Sequence, residues 1–195
     1  MHRAAFLDRD GVINRKASEG HYVTRWEDMH FLPDAAAAIA LLNQAGFRVI
    51  VVSNQRCVAK GLVTERELES LHERMCAALA RSGASIDAVY YCPHELQPPC
   101  GCRKPKPGLL LNAARAHSVD LPASWMIGDS EIDVEAGRNA GCRTALLAGN
   151  GQVRTSNVDV VASSLLDAVQ QILQCQAPED RHAPRDPQPT DLFPS

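Results

Sequence analysis

The chain has 195 residues, 45% of them hydrophobic and 22% charged, with a formal net charge of -3. That length suits one well-buried core and is short for two independent domains, while the mildly acidic balance argues against a nucleic-acid partner. No apolar run is long enough to cross a bilayer and no N-terminal signal core stands out, so a soluble, cytoplasmic protein is expected; seven cysteines then read as thiols or metal ligands rather than disulfides.

Apolar runs suited to buried strands recur at residues 4–8, 47–53, 86–92, 125–129 and 143–148, with a shorter candidate at 158–162. Helical patterns separate them, and that alternation predicts an α/β fold with a mainly parallel sheet, whose sites assemble outside the carboxyl ends of the strands. The first strand breaks at Asp8-Arg9-Asp10-Gly11. In extended chain, residues i and i+2 point the same way, so Asp8 and Asp10 can face one reacting centre, and two carboxylates so close call for a hard divalent cation. Such a pair fits phosphoryl transfer, although alone it reads equally well as a solvated turn.

A first helix is predicted after Pro33, stopping at Gly46. The second strand closes in Ser53-Asn54-Gln55, offering a hydroxyl and backbone donors to a phosphate oxygen. Thr64 and Glu67 then make a capping-box pattern that opens a helix running toward Gly83, with Leu68, Leu71, Met75 and Leu79 on one stripe.

After the third strand come Cys92-Pro93-His94 and Cys100-Gly101-Cys102. Three thiols and one imidazole at this spacing match a closed, tetrahedral structural zinc site formed by Cys92, His94, Cys100 and Cys102. Zinc would order a loop of little apolar content directly beside Arg103 and Lys104, so its work there is architectural. The next segment, Arg103-Lys104-Pro105-Lys106-Pro107-Gly108, is cationic on a proline-restricted backbone. A lysine here can neutralise a phosphate and an arginine can grip one with its fork. Helices are predicted at 107–117, 131–140 and 164–174. The fourth strand ends in Gly128-Asp129-Ser130, where Asp129 would complete an oxygen shell for magnesium and Asp133 would orient the loop. Proline and charge dominate residues 176–195, which predicts a disordered tail behind a single domain over 1–175.

Taken in order, Asp-x-Asp-Gly, Ser-Asn-Gln, Arg-Lys-Pro-x-Pro-Gly and Gly-Asp-x-x-x-Asp resemble the four motifs of the haloacid dehalogenase superfamily of phosphatases, over roughly residues 4 to 150. The resemblance implies a Rossmann-like three-layer sandwich without a large cap domain. By it, Asp8 is the nucleophile, Asp10 the general acid and base, and Ser53 and Lys104 the phosphoryl ligands, with Asp8, Asp10 and Asp129 holding magnesium. Lys106 competes for the lysine role. The zinc loop narrows the likeness to two groups, the heptose bisphosphate 7-phosphatases and the histidinol-phosphate phosphatases, and the whole motif run looks more like the former, which favours Lys104. In that group Arg103 would contact substrate, as would a loop matching Glu19, Gly20, His21 and Tyr22 and the turn of Ser53, Asn54, Gln55 and Arg56. The likeness implies a magnesium-dependent monomer that removes the 7-phosphate of a small sugar bisphosphate through an aspartyl-phosphate, in nucleotide-activated heptose synthesis for lipopolysaccharide or another surface polysaccharide. Histidinol phosphate as substrate, or a non-turnover phosphate-accepting module, are the alternatives.

Overall fold

The computed structural model describes residues 1–148 and 157–175; the tail expected at 176–195 lies outside the described residues. Among the described residues six strands form, β1 (Ala4–Leu7), β2 (Arg48–Asn54), β3 (Ala88–Cys92), β4 (Trp125–Gly128), β5 (Arg143–Leu147) and β6 (Val160–Ala162), together with five helices, α1 (Ala35–Gln44), α2 (Glu65–Arg81), α3 (Gly108–His117), α4 (Glu131–Ala140) and α5 (Leu165–Gln174). All pair in parallel in the order β3-β2-β1-β4-β5-β6. The chain moves outward from β1 to β3 and then crosses back to β4, so the crevice where strand order reverses opens between β1 and β4.

Period-two alternation on the central strands divides the core into two layers. Ala5, Leu7, Val49 and Val51 face one side and meet α1, α2 and α5 through residues such as Ile39, Leu68 and Ile172. Ala4, Phe6, Ile50 and Val52 face the other and meet α3 and α4 through Leu110, Ala113 and Ala136. The result is a Rossmann-like three-layer sandwich. The predicted capping box is present: Thr64 Oγ1 accepts from the Glu67 N–H at 3.2 Å, and the Thr64 N–H donates to Glu67 Oε2 at 2.8 Å.

Where larger relatives of such a fold could insert a cap, this chain has only loops among the described residues. The connection from β1 to α1 contains one regular feature, a short 3-10 turn at Trp26–Asp28. Its Trp26 ring meets Phe31 edge-on, with centroids 6.3 Å apart, and carries the Arg74 guanidinium of α2 over its face at 4.8 Å. Those contacts pin the far end of the loop against α2 and leave its first half over the ends of β1 and β4. Among the described residues no helix is long and apolar enough to cross a membrane.

Candidate active site

The Asp8 N–H donates to the Ile127 carbonyl at 3.0 Å, continuing the β1–β4 ladder and fixing the nucleophile candidate at the sheet end. Lys104 arrives from the segment before α3. Its buried ammonium donates to Asp8 Oδ1 at 2.9 Å and to the Val52 carbonyl at 2.8 Å, and lies 2.6 Å from Asp133 Oδ1. Lys106 instead donates to the Cys100 carbonyl at 2.8 Å, so it is Lys104 that stands at the reaction centre. Burial drives the Asp8 carboxyl up to about 6, with Asp133 adding to the rise and Lys104 opposing it. Burial also disfavours the Lys104 ammonium, but the two carboxylates outweigh that and hold its pKa above the ordinary lysine value.

Two glycines allow this crowding. Gly11 sits at φ +95, and a Cβ there would collide with the Asp129 carboxylate; at Gly128 a Cβ would collide with Asp133. The acidic side chains therefore approach backbone that has no side chain to block them. Asp8, Asp129 and Asp133 offer ligand oxygens within 4.8 Å of one another. Asp129 Oδ1 is buried with no hydrogen-bond partner, an uncompensated acceptor that a hard cation satisfies, so this trio fits magnesium. The Asp10 carboxylate, expected among the metal ligands, is not in the trio, and Asp133 is.

Asp10 is engaged elsewhere. Its oxygens accept from Asn14 Nδ2 and Gln55 Nε2, both at 2.9 Å, and from the Arg9 guanidinium at 2.9 to 3.2 Å. Burial alone would raise its pKa, but Arg9, Asn14 and Gln55 overcome that and hold it below the ordinary carboxylate value. Gln55 Nε2 also donates to Ser53 Oγ at 2.7 Å. Gln55, expected to touch substrate, is thus turned inward as a brace between Ser53 and Asp10. Arg56 pairs with Glu95 of the cysteine loop and does not line the cavity. Asn54 does line it, and its side-chain amide both donates to the Lys104 carbonyl and accepts from the Lys104 N–H, each at 3.1 Å.

These groups open onto a cavity of about 300 Å³, roofed by the loop residues Glu19, Gly20, His21 and Tyr22. The same loop supplies Lys16, whose exposed ammonium donates to Asp129 Oδ2 at 2.8 Å. Arg103 lies in an adjoining cavity of about 320 Å³ that shares Asn54 and Lys104 with the first, and its Nη1 is buried without a protein partner. Three participants escaped sequence reasoning. Lys16 carries no motif at all. Arg9 lies inside the Asp-Arg-Asp signature but reads there as filler, and Asp133 reads from sequence only as a residue that orients the loop.

Cys92, His94, Cys100 and Cys102 converge as the spacing predicts, with Cys102 Sγ 3.3 Å from Cys92 Sγ and 3.5 Å from Cys100 Sγ, and His94 Nδ1 3.2 Å from Cys102 Sγ. None of the sulfurs is in a disulfide. A tetrahedron with arms of about 2.3 Å has edges of roughly 3.8 Å, so the four donors fit one closed metal site with slight expansion. Against the upward push of burial, the Arg103 N–H and neighbouring thiols bring Cys100 down to about 6.

A buried lysine on a carboxylate, a second carboxylate two residues on and a serine at the next strand end, set along one edge of this sheet, define a haloacid dehalogenase-like phosphatase. The model of the family described as HAD-hyrolase-like matches residues 101–168. The chain is 44% identical over 145 residues to the D-glycero-beta-D-manno-heptose-1,7-bisphosphate 7-phosphatase of Rhodopseudomonas palustris, covering 71% of this chain and 79% of that one. It is 37% identical over 186 residues to the Escherichia coli K12 enzyme of the same name, covering 90% and 96%. The crystal structure of D,D-heptose 1,7-bisphosphate phosphatase from B. bronchiseptica, complexed with magnesium and phosphate, superposes with a TM-score of 0.81 at 36% identity, covering 88% of this chain and 98% of that one. The chain belongs to the D-glycero-beta-D-manno-heptose-1,7-bisphosphate 7-phosphatase family.

Proposed function

We propose that this protein hydrolyses the 7-phosphate of D-glycero-β-D-manno-heptose 1,7-bisphosphate, with Asp8 as nucleophile. The observation that carries the reading is Asp8 held by buried Lys104 at the floor of a cavity whose wall contains Asp10 and whose neighbouring cavity presents the unpaired Arg103 guanidinium. An Asp8 oxygen attacks phosphorus in line and the P–O bond to the sugar breaks; Asp10, ionised beside Arg9, Asn14 and Gln55 in the free protein, takes up a proton from water as substrate binds and gives it to the leaving sugar oxygen. Lys104 and Ser53 hold the phosphoryl oxygens through the charge build-up. Asp10, now a carboxylate, takes a proton from water, which attacks the aspartyl-phosphate and frees orthophosphate. Magnesium, when held by Asp8, Asp129 and Asp133, neutralises charge on the phosphoryl group.

Zinc at Cys92, His94, Cys100 and Cys102 would fix the backbone that delivers Arg103 and Lys104, with no part in the chemistry. Arg103 is the candidate for the distal phosphate and Glu19 to Tyr22 for the sugar. On this reading the enzyme is a cytoplasmic monomer whose partner is a small sugar bisphosphate. The β anomer is taken from the names of the relatives. Steady-state kcat/KM for the α and β heptose bisphosphates and histidinol phosphate, with magnesium present, tests the assignment. Preference for histidinol phosphate would overturn it.

A further inference from the structure

Among the described residues the most enclosed charged group is Arg9, which is fully buried. Its Nε and Nη2 fork the Asp10 carboxylate, with the shortest contact 2.9 Å. Nη2 also donates to the Val23 carbonyl at 3.0 Å, and Nη1 lies 3.1 Å from His72 Nε2. Arginine only donates, so His72 Nε2 is the acceptor and its ring is neutral. Burial first and the Arg9 charge second depress the His72 pKa to about 3, in keeping with that assignment. The guanidinium plane is therefore set by three acceptors from three parts of the fold: the loop after β1, the end of the loop over the cavity, and α2.

We propose that Arg9 is a positioning residue for proton transfer: braced by His72 and Val23, its fork sets the plane of the Asp10 carboxylate at the wall of the cavity that Asp8 also lines. Asn14 and Gln55 restrain the same carboxylate but come from short polar side chains at one point each, whereas Arg9 fixes its plane. A lysine at position 9 would keep the charge and lose that plane. Because the loop that covers the cavity is tied to the same guanidinium through Val23, substrate recognition and aim of the acid share one brace.

The proposal rests on the phosphatase reading and is tested by the dependence on leaving group. The substrates are heptose bisphosphate, whose sugar alkoxide must be protonated as it leaves, and p-nitrophenyl phosphate, whose phenolate leaves without a proton. Arg9→Lys should lower kcat on heptose bisphosphate about 100-fold, the scale of general acid catalysis, while rapid-quench formation of phospho-Asp8 from p-nitrophenyl phosphate falls less than about threefold. His72→Leu, which keeps Arg9 but removes its acceptor on α2, should show the same asymmetry with a loss of about fivefold, and it carries the test if Arg9→Lys does not fold. Equal losses on both substrates, or no loss on heptose bisphosphate, would overturn the positioning role. Wild-type protein that forms phospho-Asp8 from neither substrate would instead remove the reading of the site beneath it.

Discussion

Lys104 reaches Asp8 across 96 positions of sequence, its Nζ 2.9 Å from Asp8 Oδ1. The same ammonium is 2.6 Å from Asp133 Oδ1, while Ser130 Oγ donates to the other Asp133 oxygen at 2.5 Å. One buried cation thus organises two buried carboxylates, Asp8 at the end of β1 and Asp133 in the first turn of α4, and both lose their closest countercharge if it is removed.

Lys104→Met is expected to lower kcat and kcat/KM together by about 10²- to 10³-fold, because the lost charge faces the transferring phosphoryl group. Stability should fall by about 3 kcal/mol, the scale for breaking a buried ion pair from one side. Steady-state kinetics and urea unfolding check both. A variant that loses stability but keeps kcat would confine Lys104 to scaffolding.

Arg103 divides recognition from chemistry. With a buried, unpartnered Nη1 in the cavity beside the reaction centre, it has a donor to spare for a distal anion. Arg103→Ala should depress kcat/KM for the bisphosphate by about 100-fold, the worth of a charge-assisted fork, and for a small monophosphate by less than about threefold. Matching losses on the two substrates would place Arg103 in the common centre.

Protein purified without chelator should carry about one zinc per chain, and Cys100→Ser combined with Cys102→Ser should carry none. Because Cys102 leads directly into Arg103 and Lys104, the double variant should also lose activity that added magnesium does not restore. Elemental analysis beside an activity assay decides this; full activity without zinc would end the architectural role.

His72 makes stability depend on pH. Held neutral in the fold to about 3, it takes up a proton near 6.5 once unfolded, so below pH 6.5 the unfolded state binds more protons. Stability from this group is complete above pH 6.5 and declines as pH falls toward 3, by about 1 kcal/mol between 6.5 and 5.5. Asp8 acts in the opposite sense, since its raised pKa favours the folded state as pH falls, but it is common to wild type and variant. The difference between their urea-unfolding free energies at pH 7, 6.5 and 5.5 therefore isolates His72. His72→Gln should narrow its gap to wild type as pH drops, and a gap independent of pH would contradict the assignment.

Much of the architecture was legible in the residues alone. Strand and helix periods are local properties, set by which side of a backbone each side chain points to, so the alternation predicted β1 to β6 and the five helices with ends shifted by a residue or two. The motif order followed from the same logic, because parallel strands bring their carboxyl ends to one edge whatever lies between. The cysteine loop was legible because its four ligands lie within eleven positions of sequence, where spacing alone limits geometry.

Only the tertiary structure decided where the polar side chains turn. Gln55 and Arg56 follow Ser53 and Asn54 directly, yet Gln55 goes inward to Asp10 and Arg56 outward to Glu95. Asp133 rather than the Asp10 carboxylate joins Asp8 and Asp129, since Arg9, Asn14 and Gln55 already occupy Asp10. Lys104 is separated from Lys106 by the buried carboxylates one can reach and the other cannot. The physical reason is shared: a buried polar atom goes to whichever partner satisfies it, and those partners come from distant sequence, beyond the reach of periodicity or local spacing.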